Sequence, residues 1–210
     1  MLEQDDQEKA DLVSSRTVLA RKIIAQSWRR SFSDGKRIVE VLLAGRDIAE
    51  LSPEELALLA QGYNWWGKHT EAFAVAKLNF AHTPNSLTHQ WGMMRMYAYN
   101  AFGRDLHGFI AVCDACIAEQ LGSMAFWSFL KAEHYLTYAT GEFELQDYEW
   151  VMGDAILHPE LLPLAAEALQ VALTEQADLP EQVIAQGLIN DWNERFAALI
   201  QFPQFKHLAR

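Results

Sequence analysis

Apolar residues recur at helical spacing along most of the chain. Near the N-terminus they fall on one face of a helix predicted from Glu8 to about Phe32. The segment Ser33–Gly35 is expected to break this helix, and a short helix then continues through Ile38 and stops at Gly45. The β-branched alternation that is typical of strands is almost absent, so the sequence predicts an all-α fold with no sheet.

A strong helix start follows at Ser52. The sequence Ser-Pro-Glu-Glu fits a capping box, in which the Ser52 hydroxyl accepts the backbone N–H of Glu55 and the Glu55 carboxylate accepts that of Ser52. Gly67 is expected to end this helix, a second helix runs from His69 to about Ala81, and Pro84 closes the pair. The pattern therefore predicts a helical hairpin.

An internal repeat follows this hairpin. The segment Tyr63–Lys68 and the segment Tyr99–Arg104, 36 residues later, both read Tyr-Asn-x-aromatic-Gly-basic. A weaker third copy has its turn at Gly141 and closes at Pro159. A period of this length, with a glycine at each reversal, indicates stacked helical hairpins, and we expect positive φ angles at the turn glycines. A further helix opens at His158, and a last one begins near Pro180.

The chain resembles the tetratricopeptide repeat family over residues 53–159. The first two units match the family pattern at Leu56, Leu59, Ala60, Tyr63, Gly67, Ala72 and Pro84, and at Tyr99, Gly103, Gly108 and Ala115. The second unit departs with Arg95, where the family has leucine. The resemblance implies a right-handed superhelix of stacked hairpins with helical caps. We assign residues 1–50 to an N-terminal cap or basic arm, 51–159 to three hairpins, and 160–210 to a C-terminal cap or fourth hairpin.

The resemblance also implies a concave groove that binds an extended peptide. Carried over by the turn alignment, its lining positions are Ala57, Gln61, Asn64, Trp65, Met93, Tyr97, Asn100, Lys131, Tyr135 and Tyr138. An Asn amide donates and accepts, so Asn64 and Asn100 either bind a peptide backbone or cap the helix before the turn. The tyrosines offer flat contact area. The Lys and Asn of the family's carboxylate clamp are missing at Ala57 and Gln61, so an apolar or aromatic anchor fits better.

Charge is unevenly distributed along the chain. The formal net charge of −11 disfavours general binding to nucleic acids or anionic membranes. The segment Arg16–Arg46 nevertheless carries net +6, whereas Gly141–Phe205 carries −11. These stretches are either solvated helix faces that attract each other, or a basic arm that meets an acidic partner. No signal peptide or long apolar run is visible, so we expect a cytoplasmic protein.

Residues with chemical potential are scattered. Cys113 and Cys116 form a CxxC inside a predicted helix, and we interpret them as buried packing thiols, with a redox or metal site as the alternative. Asp154 and His158 share a helix face, which indicates a local hydrogen bond or cap. The adjacent Glu133 and His134, and the carboxylates of Glu142 and Glu144, are expected to be solvated. The sequence predicts no catalytic residue, metal or cofactor.

The leading functional hypothesis is a non-catalytic protein-binding module, either an adaptor or scaffold or a small chaperone. In size and layout the chain resembles the small acidic bacterial chaperones of secretion-system translocator subunits. One alternative is a homo-oligomer such as a homodimer, in which aromatic residues face a twin subunit: Trp28, Trp65, Trp66, Trp91 or Phe102. The other is an enzyme that uses the cysteine pair or a His–carboxylate site.

Overall fold

The chain divides into two compact units, Met1–Thr83 and Pro84–Arg210. The computed structural model describes the backbone of residues 15–27, 30–82, 88–140, 145–146, 149–150 and 156–175. It describes the side chains of these residues except at 81–82, 88–92, 140, 145–146 and 149–150.

Helices dominate both units. The described part of the first unit contains a helix over residues 15–26 (α1), then α2 (Phe32–Leu43), a 3₁₀ turn (Ile48–Glu50), α3 (Pro53–Trp65) and α4 (His69–His82). That of the second contains α5 (Thr88–Phe102), α6 (Leu106–Ala118), α7 (Met124–Thr140), β1 (Leu145–Gln146), β2 (Glu149–Trp150), a 3₁₀ turn (Pro159–Leu161) and α8 (Leu162–Thr174). None of the helices described is both long enough and apolar enough to cross a membrane.

The all-α prediction is confirmed with one correction. The strands β1 and β2, of two residues each, pair antiparallel with Leu145 opposite Trp150. The prediction of no sheet is therefore wrong at this one place. Two residues per strand are too few to form the alternating pattern that identifies strands in a sequence, so the pattern does not predict them.

The boundary between α1 and α2 lies earlier than predicted. Helical residues end at 26, and the Ser31 hydroxyl accepts the backbone N–H of Asp34 at 3.2 Å as the N-cap of α2. Ser33–Gly35 thus begins a helix instead of breaking one. Gly35 is buried against α3, where a Cβ would lie 2.5 Å from the Trp66 nitrogen. The absence of a Cβ at Gly35 therefore allows α2 to pack closely against α3. The predicted start at Glu8 lies outside the described residues.

The start of α3 is as predicted. The Ser52 hydroxyl accepts the Glu55 amide at 3.3 Å, and a Glu55 carboxylate oxygen accepts the Ser52 amide at 2.9 Å. Arg46 donates to both oxygens of the same carboxylate, at 2.6 and 3.1 Å. Burial works to raise the pKa of Glu55, but the hydrogen bonds from Arg46 and Ser52 outweigh it and lower the pKa below its ordinary value. The Glu55 carboxylate of the capping box is therefore buried and paired with a cation that precedes it in the chain.

Two of the three predicted turn glycines lie in the described residues, and they differ. Gly67 ends α3 with a φ of 73°, as expected, and the Lys68 amide donates to the Tyr63 carbonyl at 2.9 Å. The φ of Gly103 is not positive, so that expectation is wrong. The Asp105 amide donates to the Phe102 carbonyl at 2.9 Å, and this tight turn reverses the chain without a left-handed residue. Pro84 lies outside the described residues.

The third predicted hairpin is not built like the first two. The strands β1 and β2 occupy part of the region where its second helix was expected, and Pro159 opens a 3₁₀ turn before α8. The amides of Leu157 and His158 donate to the Ala139 carbonyl at 2.7 and 3.0 Å. These two hydrogen bonds satisfy the Ala139 carbonyl at the C-terminal end of α7. Helix α8 then packs along α7. The helix predicted from His158 is confirmed, whereas Gly141 and the helix near Pro180 lie outside the described residues.

The core of the second unit lies between α6, α7 and α8. Trp127 and Phe126 of α7 are buried, and the indole N–H of Trp127 donates to the Leu121 carbonyl at 2.6 Å. Ala165 and Leu169 of α8 are also buried, consistent with the contact between α7 and α8. A buried Trp with its N–H satisfied contributes a large apolar area without an unpaired donor. This core fixes the orientation of α7, whose outer face carries several of the predicted site residues.

Candidate functional site

The first part of the predicted groove lies on α3. Ala57 is exposed, and Gln61, Asn64 and Trp65 are half-buried. The Asn64 Oδ1 atom lies 3.0 Å from Nδ1 of His69, the first residue of α4, so this side chain spans the turn at Gly67. That contact is expected if the Asn64 side chain stabilises the turn between α3 and α4. Its role in a groove stays a prediction.

The second part lies on α5. Met93 and Asn100 are half-buried, but Tyr97 is only 2% exposed, and its hydroxyl has no hydrogen-bond partner among the described residues. Burial raises the pKa of Tyr97 above its ordinary range. Tyr97 therefore does not present the accessible ring face that the sequence suggested.

The third part lies on α7, where Lys131, Tyr135 and Tyr138 are half-buried. They recur at i, i+4 and i+7 and therefore share one face. The Lys131 Nζ atom lies 2.6 Å from an Asp114 carboxylate oxygen, which ties α7 to α6. Burial raises the pKa of Tyr135, and the neighbouring Lys131 opposes this shift. The structure thus brings these three predicted residues together, which we call the α7 face.

A buried polar cluster in the second unit was not predicted. Glu133 is 8% exposed and His134 is 0% exposed, so the expectation that both are solvated is wrong. Arg95 donates to one oxygen of Glu133 at 2.5 Å, and the Tyr99 hydroxyl donates to the other at 2.5 Å. The Arg95 guanidinium also lies 5.6 Å from the centre of the Tyr99 ring. The cluster links α5 to α7.

Burial and charge set the protonation of this cluster. Burial works to lower the pKa of Arg95, but the charge and hydrogen bond of Glu133 raise it above its ordinary value. Burial and Glu133 raise the pKa of Tyr99 well above 10.0. Arg95 therefore stays cationic and Tyr99 stays protonated, which suits both to donate to Glu133. The sequence signal for this cluster is Arg95, which stands where the tetratricopeptide pattern has leucine. Arg95 precedes Glu133 by 38 residues, which is about one repeat.

His134 is packed between aromatic rings. Its ring centre lies 4.1 Å from that of Phe109 in a stacked arrangement, and 5.6 and 5.0 Å from those of Tyr99 and Tyr138. Burial lowers the pKa of His134 to about 4, although Glu133 and Asp105 act to raise it. The imidazole is therefore neutral at neutral pH, because burial disfavours its charged form.

The cysteine pair is confirmed as buried. Cys113 is 0% exposed and Cys116 is 1% exposed. Burial, together with the neighbouring Cys116, raises the pKa of the Cys113 thiol well above its ordinary value, which disfavours the reactive thiolate.

The remaining polar positions give one surface contact. His158 and Glu160 form an exposed pair at 3.0 Å, whereas Asp154, Glu142 and Glu144 lie outside the described residues. Among the side chains that the structure describes, no group of His, Cys, Asp or Glu is arranged to hold a metal ion.

The α7 face is the most coherent candidate site. It combines an ammonium group, which is paired with an Asp114 carboxylate oxygen of α6, and two tyrosine rings, all partly accessible, on a helix that also contacts α8 and carries Glu133 of the buried cluster. Such a surface offers hydrogen bonds and flat aromatic area to a polypeptide. In comparisons with known proteins, the chain matches no family model, no curated protein and no solved structure.

Proposed function

We propose that this protein is a non-catalytic protein-binding module of the cytoplasm, an adaptor or small chaperone, which holds an extended segment of a partner. In this proposal the helical hairpins are of the kind that tetratricopeptide repeats stack into a superhelix, and the groove positions on α7 of the second unit bind the partner. The regular helix–turn–helix segments α3–α4 and α5–α6 support the proposal. So does the half-buried state of the predicted lining residues Gln61, Trp65 and Met93.

The observation that carries the proposal is a contrast within α7: between residues 125 and 139, only the three residues of the α7 face are not buried. The side chains on either side of Tyr135 are buried, and the three residues of the α7 face are left partly accessible. Tyrosines of this kind lose little entropy on binding and are frequent binding hot spots. A partner segment lying across them would bury their exposed edges and would meet the paired charges of Lys131 and Asp114.

The experiment compares affinity capture by three forms of the full chain from its native host, followed by mass spectrometry. The test variant is Tyr135→Ala. The matched control is Leu164→Ala, because Leu164 is 42% exposed on α8 and lies outside the predicted groove. We expect one protein to be captured by the wild type and the control and lost by Tyr135→Ala. Its purified form should bind at least about tenfold more weakly to Tyr135→Ala, which corresponds to about 1.4 kcal/mol.

Two outcomes would contradict the proposal. Equal capture by all three forms would remove the α7 face as the binding site. Capture of the chain alone would favour self-association, for which exposed apolar side chains provide a specific reason: Phe32 is 62% exposed, Leu157 59% and Val18 58%. Sedimentation equilibrium at several protein concentrations measures this second candidate function directly, because a self-associating chain increases in mass with concentration.

A further inference from the structure

The charged groups beside the α7 face are mainly carboxylates. The Lys131 ammonium of the face is already paired, since it lies 2.6 Å from an Asp114 carboxylate oxygen. Glu167 on α8 and Asp105 at the N-cap of α6 are both exposed. Within the part of the chain that the structure describes, neither of these two carboxylates forms an ion pair with a cation. Both are therefore available to a cation from another molecule.

Glu167 borders the face from α8. Burial raises the pKa of Tyr135, and Lys131 opposes this shift. The negative charges of Asp114 and Glu167 raise the pKa of Tyr135 further. Because such charge effects fall off with distance, Glu167 lies near the Tyr135 hydroxyl, on a helix that packs along α7.

Asp105 borders the other end of the face. Burial raises the pKa of Tyr138, a hydrogen bond from the Leu106 backbone lowers it, and the Asp105 carboxylate raises it. The Tyr138 hydroxyl therefore lies against the first turn of α6, near Asp105. The preceding residue, Arg104, is exposed but is not among the charges that act on Tyr138. The face thus has three carboxylates beside it and one ammonium, which is paired.

The composition of the second unit has the same sign. Residues 84–210 contain six Lys or Arg and sixteen Asp or Glu, so this unit carries −10 of the chain's net charge of −11. Of the cations on its described residues, Arg95 is paired with the buried Glu133 and Lys131 with Asp114. A surface field of one sign attracts segments of the opposite charge and repels segments of its own.

We infer that the segment bound by the α7 face is a basic segment of the partner protein and that it contains arginine. The inference rests on the proposed function and names the chemistry of the partner. An arginine can pack its flat guanidinium against the accessible part of a tyrosine ring while its N–H groups donate to Glu167 or Asp105. An acidic segment would meet two unpaired carboxylates and no unpaired ammonium on the face, so charge selects against it.

The first test uses the full chain and short fluorescein-labelled peptides, measured by fluorescence anisotropy. One peptide has two arginines separated by a serine in an otherwise neutral sequence. The others replace both arginines with citrulline, which keeps the shape and removes the charge, with glutamate, or with lysine. We expect the arginine peptide to bind and its affinity to fall with added salt, since salt screens the attraction. The citrulline and glutamate peptides should bind at least about tenfold more weakly. The lysine peptide should bind about threefold more weakly, because its ammonium does not stack on a ring.

Two double variants of the chain locate the site. The charge variant, Asp105→Asn with Glu167→Gln, removes the two free carboxylates, and the Asp105 side chain makes no capping hydrogen bond that this would break. The control variant, Glu160→Gln with Glu175→Gln, removes the same net charge from residues that do not act on either tyrosine. The charge variant should weaken the arginine peptide by about tenfold or more, and the control variant by less than about twofold.

Several results would overturn the inference. These are no binding of the arginine peptide, equal binding of the glutamate or lysine peptide, or equal weakening by the charge and control variants. Equal weakening would mean that the peptide is attracted to the acidic unit as a whole and not to this face. A dimer that the charge variant dissociates would assign the face to a second copy of the chain.

Capture from the native host separates this inference from the proposed function. We expect the charge variant to lose the same partner protein that Tyr135→Ala loses, and the control variant to keep it. If Tyr135→Ala loses the partner and the charge variant keeps it, the face binds a partner that is not selected by charge, and only the inference fails. If Tyr135→Ala keeps the partner, the proposed function fails and the inference fails with it.

Discussion

The buried imidazole of His134 makes a quantitative prediction about acid stability. Acidification should destabilise the folded protein, because the unfolded chain takes up a proton on this histidine more readily than the folded chain does. The titratable groups that contact it or act on it are Tyr99 from α5, Asp105 at the N-cap of α6, and Glu133 and Tyr138 from its own helix. Only Glu133 and Asp105 favour its protonation, and burial outweighs both.

The magnitude follows from the difference in pKa. The pKa of His134 falls from an ordinary 6.5 to about 4 on folding. One pKa unit is about 1.4 kcal/mol, so the neutral imidazole contributes about 3 kcal/mol of stability above pH 6.5. This contribution is lost as the pH falls from about 6.5 to about 4, because only the unfolded state is protonated in that window. About 2 kcal/mol should be lost by pH 5.

The assay compares the wild type with His134→Phe, which keeps a ring in contact with Phe109 but cannot titrate. Urea unfolding at pH 7 and pH 5 gives the free energy of unfolding of each form. Hydrogen exchange of the α7 amides gives the stability of that helix separately. Carboxyl groups that lose stability in acid, such as Glu55, are present in both forms and cancel in the difference between the two proteins.

The wild type should lose about 2 kcal/mol more than His134→Phe between pH 7 and pH 5. Equal losses would refute the reasoning. So would a folded-state pKa near 6.5 for His134, measured from its imidazole proton shifts by nuclear magnetic resonance.

Three further predictions concern stability, each measured by urea unfolding at neutral pH. Arg95→Ala should cost about 3 kcal/mol, because it leaves the buried carboxylate of Glu133 without its cation; a loss below about 1 kcal/mol would contradict this pairing. Gly35→Ala should cost about 3 kcal/mol through backbone clashes, more than Gly67→Ala, which has open space and costs about 1 kcal/mol for its positive φ; the reverse order would contradict the packing of α2 on α3. Ser52→Ala should cost about 1 kcal/mol as a lost cap, and an unchanged midpoint would contradict the capping box.

Local signals predicted the helices best. The capping box at Ser52 and the glycine at Gly67 depend on bonds between residues close in sequence, so the bounds of α3 follow from the chain itself. The same local reasoning failed at Ser33–Gly35. Ser-Asp-Gly usually marks a turn, but here Ser31 caps the helix and the lack of a Cβ at Gly35 admits α3. That close approach is a tertiary contact, which no local pattern contains.

The site was only partly predictable for the same reason. The resemblance to tetratricopeptide repeats placed Lys131, Tyr135 and Tyr138 together in the predicted groove, and in the structure these three residues share one face of α7. Burial depends on what packs over a position, and periodicity alone did not indicate that Tyr97 and Glu133 would be covered. A charged residue considered by itself is predicted to be exposed to solvent. Arg95 and Glu133, taken as a pair one repeat apart, would have indicated the buried cluster.

The central claim is that the α7 face binds a partner protein, and photo-cross-linking in the native host tests it most directly. The chain is expressed with p-benzoylphenylalanine in place of Tyr135, or in place of Leu164 on α8 as the control. The account predicts that, on illumination, position 135 cross-links to one partner protein and position 164 does not. Cross-links from position 135 to the chain itself alone, or to the same proteins as position 164, would contradict it.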